Sequence, residues 1–339
     1  MRIASVIFQR LLTIVPLLLG VTFVVFVLTR VIISGNPIDQ IVPPMASAET
    51  RQQLTEKYGL DRPLPVQYLD YIRNLAVGDM GYSLRSGLPV RDELVKFFPA
   101  TLELTTYAML LALLMGVPLG ILAAVKRDTW IDHLARVVAV SGISIPVFWF
   151  ALILIYIFFF EWGMAPAPLG RINPRLAAPP SVTGLLTIDS LLAGNGAAFR
   201  SAVSHLILPT ITLAFGAMAP LARMARTAMI EVLDKQYIRT ARAQGLRGST
   251  IVLKFAMKNA MLPVVTMVAV VYGFLLGGSV LVETIFAWPG LGRYAYDAIA
   301  SSDYTAIQGF VLYATTMYVL LFAITDLVYT ALDPRIRPG

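Results

Sequence analysis

The sequence predicts an all-α membrane protein of six transmembrane helices with both termini in the cytoplasm. Three observations carry that expectation. Only 14% of the 339 residues are charged, against roughly 25% in an ordinary soluble domain, so the chain lacks the polar surface that water demands. Mean hydropathy is +0.73 and 57% of residues are hydrophobic. Six charge-free stretches are each long enough for a hydrocarbon core of about 30 Å, which takes roughly 20 apolar residues in a helix.

Those stretches run in order along the chain. Arg10 and Arg30 flank 11–29, Glu103 and Lys126 flank 104–125, and Arg136 and Glu161 flank 137–160. Arg200 and Arg223 flank 201–222, Lys258 and Glu283 flank 259–282, and Asp303 and Asp326 flank 304–325. The next charge-free run, 176–188, holds Pro179 and Pro180 and is too short to cross. Several stretches carry a proline (Pro16, Pro118, Pro146, Pro209, Pro220, Pro263). Inside a bundle, neighbouring helices and hydroxyl side chains can satisfy the carbonyls that proline frees, so these positions either shape a cavity or simply pack.

The net charge of +7 is distributed with a bias. Arg2 and Arg10, then Lys126, Arg127 and Arg136, then the basic residues of 223–258, then Arg335 and Arg337 all fall on one side. The short loops opposite hold only Arg171, Arg175, Arg200 and Arg293. Basic residues in short loops stay in the cytoplasm, which places the termini there. A basic balance placed this way indicates membrane orientation rather than nucleic-acid binding. The absence of cysteine excludes disulfides and thiol chemistry, and His133 and His205 alone leave little for a metal site, so no cofactor is expected. The first apolar block is too long for a cleaved signal and reads as a span.

The loops divide the chain into 1–30 (N-terminal segment and first span), 31–102 (an outer cap) and 103–339 (a five-helix core). The first outer loop is too long to be a connector. It shows helix-forming content at 48–58, breaks at Pro63, Pro65, Gly78 and Gly81, and short amphipathic helices at 66–75 and 90–98. The second outer loop, 162–200, is rich in Pro, Gly and Ala, with a short helix near Leu185, Leu186 and Ile188. The loop 223–258 differs from both, being basic and helical in character. Residues 229–244 lack Gly and Pro, Gly245 supplies a left-handed stop, and a second helix over 249–260 leads into the fifth span. Ala241 and Gly245 are four apart, giving a small face that another protein could approach, while Arg239, Arg242 and Arg247 could meet acidic groups or lipid headgroups.

In this loop, Tyr237-Ile-Arg-Thr-Ala-Arg-Ala-Gln-Gly245 followed by Asn259-Ala-Met-Leu-Pro263 resembles the signature loop of ABC importer permeases, in particular the dipeptide/oligopeptide branch. The general pattern is Glu-Ala-Ala, three residues, Gly, then an apolar-Leu-Pro element. Here Arg239 stands at the Glu position, followed by Thr240 and Ala241, with Gly245 in place. Gly59-Leu-Asp-Arg-Pro63, Gly78-Asp-Met-Gly-Tyr-Ser83, Glu283-Thr-Ile-Phe-Ala-Trp-Pro-Gly-Leu-Gly292 and Asp333-Pro-Arg-Ile-Arg337 look like further segments of that branch, so the resemblance covers nearly the whole chain.

The resemblance implies a type I ABC importer permease fold in the bacterial inner membrane. It also implies a second homologous permease subunit, cytoplasmic ABC ATPases and a periplasmic solute-binding protein. Tyr237, Arg239, Thr240, Ala241, Arg242, Ala243, Gly245 and Leu246 would then meet the ATPase. Independently, the chain has no G-x-x-x-x-G-K-[ST] phosphate cradle, so the energy must come from elsewhere. Glu283, Thr284 and Asp326 are candidates for a gate or pathway, since ionisable groups near the bilayer are costly and often functional. Asp326 could instead pair with an arginine of the signature loop. Glu103 and Glu283 are expected to be solvated at outer span ends, His205 to be structural, Trp162 and Trp288 to anchor at the interface, and Gly273 and Gly277 to form a small-x-x-x-small packing pair. An ion-driven transporter would show a repeat and midplane charges, an intramembrane protease a second glycine after Gly142-Ile-Ser-Ile145, and a scaffold no transport. None of these accounts for the 237–263 loop. The identity of the transported solute is not legible.

Overall fold

The computed structural model describes residues 2–29, 47–57 and 61–332. Gly59 and Leu60 of the first cap motif, and the whole of the Asp333–Arg337 ending, lie outside the described residues, and so does the side chain of Asp326. Among the described residues the elements are helices: α1 (Arg2–Val27), α2 (Ala48–Lys57), α3 (Leu64–Ala76), α4 (Val90–Val125), α5 (Trp130–Ser144), α6 (Val147–Glu161), α7 (Leu186–Leu192), α8 (Gly196–Leu233), α9 (Gln236–Ala243), α10 (Gly248–Gly277), α11 (Val280–Ile285), α12 (Leu291–Ala300) and α13 (Tyr304–Leu332). One isolated bridge pairs Tyr82 with Pro89.

Four of these, α4, α8, α10 and the 304–325 part of α13, are long and apolar enough to cross a bilayer. The third expected stretch is not a straight helix. It breaks into α5 and α6, which meet at 102°. Proline disfavours the helical region for the residue before it, and Ile145, ahead of Pro146, is extended at φ −81° and ψ 121°. The first expected stretch appears as a shorter apolar segment, Val15–Val27, within α1.

The chain forms two units, Met1–Phe98 with Arg293–Leu320, and Pro99–Gly292 with Leu321–Gly339. In the first unit, Tyr68 of α3 sits edge-on to Phe23 and Phe26 of α1, with ring centroids 5.5 and 5.4 Å away. Its hydroxyl donates to the Leu19 carbonyl at 3.0 Å. The turn leading into α4 uses left-handed glycines at Gly78 and Gly81. Asp303 then accepts from the Ser83 hydroxyl (2.6 Å) and the Arg85 N–H (3.2 Å), and Arg85 pairs with Asp297 at 3.0 Å.

In the second unit α8 is the central helix. Of its most apolar stretch 61% is buried, against 11% for α13. Within lipid there is no hydrophobic force between helices, so close packing must hold them, and small residues permit it. A Cβ on Gly120 of α4 would overlap the Ala222 carbonyl of α8, and one on Gly116 would lie 2.9 Å from Met218. A Cβ on Gly142 of α5 would lie 2.7 Å from the Phe215 carbonyl. Of the small pair expected at Gly273 and Gly277, Gly273 is buried, whereas Gly277 is exposed and a Cβ there would meet nothing within 4 Å. The Gly116–Gly120 spacing in α4 fills that role.

Candidate functional site

The 223–258 segment begins with the last three turns of α8, which stops at Leu233. Asp234 and Lys235 turn the chain, and α9 runs eight residues to Ala243. The expected uninterrupted helix over 229–244 is therefore two helices with a corner between them. An eight-residue helix is marginal by itself, because nucleation costs more than so few hydrogen bonds return. Two side chains fasten this one: Ile238 is fully buried and Ala241 nearly so, at 5% exposure. They pack among Ala124 of α4, Ala228 and Met229 of α8, and Ile251, Ala256 and Ala260 of α10. Removing Ile238 from water is worth about 1.5–3 kcal/mol, enough to hold the helix in place.

Ala241 thus faces the chain itself, not an incoming protein as its spacing with Gly245 suggested. The rest of α9 faces out. Tyr237, Arg239, Thr240, Arg242 and Ala243 are exposed, as are Gly245 and Leu246 beyond it. The Tyr237 hydroxyl accepts from the Asn259 side chain at 2.8 Å, tying the first residue of the motif to its distal element. Gly245 is left-handed at φ 77°, and the Leu246 N–H returns to the Ala241 carbonyl at 3.3 Å, which ends the helix as the sequence predicts. Among the described residues Lys235, Arg239, Arg242 and Arg247 make no ion pair. The arrangement is a short rigid helix, anchored by two apolar contacts, that presents a basic outer surface.

Glu283 occupies a different kind of site. It was expected in solvent, but it is fully buried on α11. Its Oε1 accepts from the Thr101 hydroxyl (2.6 Å) and the Ser279 hydroxyl (2.8 Å), and the Thr101 oxygen in turn accepts the Leu291 N–H at 2.7 Å. Burial is tolerated because the carboxylate is hydrogen-bonded. Gly290 and Gly292 leave room for it: a Cβ on Gly290 would overlap Oε2. Trp288 is also buried, at 1% exposure, with its indole N–H donating to the Ala100 carbonyl at 2.8 Å, so it is an internal brace and not an interfacial anchor. Trp162 does remain exposed. Thr284 is half-buried and its hydroxyl is used on the Val280 carbonyl at 2.8 Å. Glu283 and Thr284 are therefore neighbours, whereas the α9 residues form a separate site.

Two carboxylates that spacing did not single out fasten the second outer loop. Glu103, 3% exposed where solvent was expected, accepts from Arg171 and from both the N–H and the hydroxyl of Thr187, at 2.8 and 2.7 Å. Asp189 accepts the Thr183 N–H and hydroxyl and the Gly184 N–H at 2.7–3.0 Å. Desolvation pushes its carboxyl up, but the three donors outweigh that and hold it below the usual carboxylate range. The clue to Asp189 in the sequence was that it is the one acidic residue of the Gly- and Pro-rich segment 162–200. His205 is structural as expected, with Nδ1 2.8 Å from the Ser201 carbonyl. A cavity of about 430 Å3 lies between α4 and α8, lined by Leu111, Ala112, Met115, Thr210, Ala214 and Met218 among others, and neither site opens into it.

The family described as binding-protein-dependent transport system inner membrane component matches residues 116–338, and its N-terminal component matches residues 3–105. The chain is 44% identical to the probable D,D-dipeptide transport system permease protein of Escherichia coli (strain K12), over 99% of this chain and 98% of that one. It is 43% identical to the dipeptide transport system permease protein of Alkalihalophilus pseudofirmus, over 97% and 98%. Its fold is similar to a chain in an inward-facing structure of the MetNI methionine ABC transporter, with a TM-score of 0.55 and 18% identity, covering 71% of this chain and 96% of that one.

Proposed function

Because the chain belongs to the binding-protein-dependent transport system inner membrane component family, we propose that it is the permease subunit of an ABC importer that carries dipeptides and short oligopeptides across the bacterial inner membrane. The observation that carries this reading is likeness to two dipeptide permeases along almost the entire length of both partners. The chain supplies half of the pathway, and a second homologous permease supplies the other half. A periplasmic solute-binding protein delivers the peptide. Six segments cross the membrane: α1, α4, the bent α5–α6 pair, α8, α10 and α13. Both termini are cytoplasmic, following the basic residues of the short loops.

Energy enters through α9. ATPases dock on the exposed surface of Tyr237, Arg239, Thr240, Arg242, Ala243, Gly245 and Leu246, while Ile238 and Ala241 pass the motion inward to α4, α8 and α10. Closure of the ATPase dimer thereby rocks the helices as rigid pieces. On the outer side, Glu283 holds the 286–292 turn in register and Thr284 stands beside it, so this pair sets the shape of the outer gate, with Asp326 on the last span as a further pathway residue.

The test is uptake of a radiolabelled L,L-dipeptide by cells deleted for this chain and complemented with it. Uptake restored by the chain and competed by unlabelled dipeptides supports the reading. Dipeptide uptake indifferent to the chain, with glutathione or nickel-complex uptake dependent on it, would replace the substrate class.

A further inference from the structure

Asp132 is an acidic residue at the start of α5, and it is fully buried. Both oxygens are engaged by one arginine of α8: Arg226 Nε reaches Oδ1 at 2.7 Å and Nη2 reaches Oδ2 at 2.9 Å. Arg136 adds a contact at 3.2 Å and the Asp128 N–H another at 3.2 Å, so the carboxylate is saturated. Such a bidentate pair fixes one relative placement of two helices, because the planar guanidinium fits the carboxylate in a single orientation.

The position of the pair gives it meaning. Arg226 lies two turns before the end of α8, beside Ala228 and Met229, the residues on which Ile238 and Ala241 of α9 rest. That apolar cluster draws on α4, α8, α9 and α10, and none of its described members belongs to α5. The Asp132–Arg226 pair joins α5 to α8 at this end. Beyond it, α5 runs past Gly142, where it packs closely on α8, and into the 102° break before α6.

We propose that Asp132 is a positioning residue for energy coupling: through Arg226 it ties α5 to the end of α8 that carries α9, so that displacement of α9 moves the bent α5–α6 segment. Apolar contacts can slide, and a bidentate ion pair resists sliding. A buried ion pair adds little net stability over apolar packing, so its value here lies in fixing geometry. The proposal rests on the reading that α9 receives the ATPase.

The experiment uses the whole complex, purified through this chain and reconstituted in proteoliposomes, with ATP hydrolysis and dipeptide uptake measured on the same vesicles. Three variants are compared: Asp132→Asn, the conservative Asp132→Glu, and the exchange Asp132→Arg with Arg226→Asp. The Asn variant is expected to assemble and hydrolyse ATP while uptake per ATP falls about fivefold or more, the lower end of energetic coupling between linked sites. The Glu and exchanged variants are expected to recover part of that ratio. An unchanged ratio in the Asn variant, hydrolysis and uptake falling in parallel, or an exchanged pair that assembles without regaining coupling overturns the proposal. A wild-type chain that brings down no ATPase overturns the functional reading beneath it, which is a different failure.

Discussion

At the scale of single residues, the glycines around Glu283 and along the helices separate tight positions from open ones. Gly290→Ala would drive a methyl group into the Glu283 carboxylate and the Thr101 hydroxyl. It is expected to destabilise the protein by about 1–3 kcal/mol, the usual cost of overpacking, and to lower its thermal unfolding midpoint in detergent. Gly277→Ala, with nothing within 4 Å, is expected to leave the midpoint unchanged or slightly raised. Asp189 gives a pH signature. Its folded carboxyl sits below the ordinary 3.8, so its contribution is present above that value and is lost as pH falls through the folded one. Amide protection at 183–189, taken relative to the intrinsic exchange rate at each pH, should therefore fall on acidification below about pH 4, where carboxylates of ordinary pKa protonate, and fall less in Asp189→Asn.

At the scale of elements, α9 and its glycine stop matter most. Proline fixes φ near −65°, roughly opposite to the +77° that Gly245 adopts. Gly245→Pro is expected to abolish uptake while the chain still reaches the membrane, as membrane fractionation beside an uptake assay would show. Ile238→Ala removes the larger of the two buried anchors of α9 and is expected to cost about 2–5 kcal/mol locally, read as faster proteolysis within 235–247. Much of this is legible in the sequence. The stop at Gly245, the α3 helix and the apolar stretches follow from local chemistry. The corner at Asp234–Lys235 and the inward turn of Ala241 do not, because both depend on Met229, Ile251 and Ala256 arriving from distant parts of the chain. The bend at Pro146 has its signal in the sequence, but proline is tolerated in membrane helices often enough that the residue alone does not give an angle.

At the scale of the whole molecule, composition alone marks a membrane protein, and the 237–263 loop together with the other branch-like segments points to its family. The buried carboxylates are illegible in the sequence for a physical reason. Glu103 and Glu283 lie at the ends of apolar stretches, where water is the default; Thr187 and Arg171 reach Glu103 only because 163–195 folds back over it, and Glu283 takes its hydroxyl partners from Thr101 of α4 and from Ser279. The six-span topology is tested by fusing an enzyme active only in the cytoplasm to the C-terminus and to residues near 180. The terminal fusion is expected to be active and the loop fusion silent. The most direct test of the account is purification of the tagged chain from its native membrane in mild detergent, with ATP hydrolysis assayed on the eluate. The account predicts that an ATPase and a second permease elute with it and that hydrolysis is vanadate-sensitive. A chain that elutes alone, with no nucleotidase following it, would contradict the account.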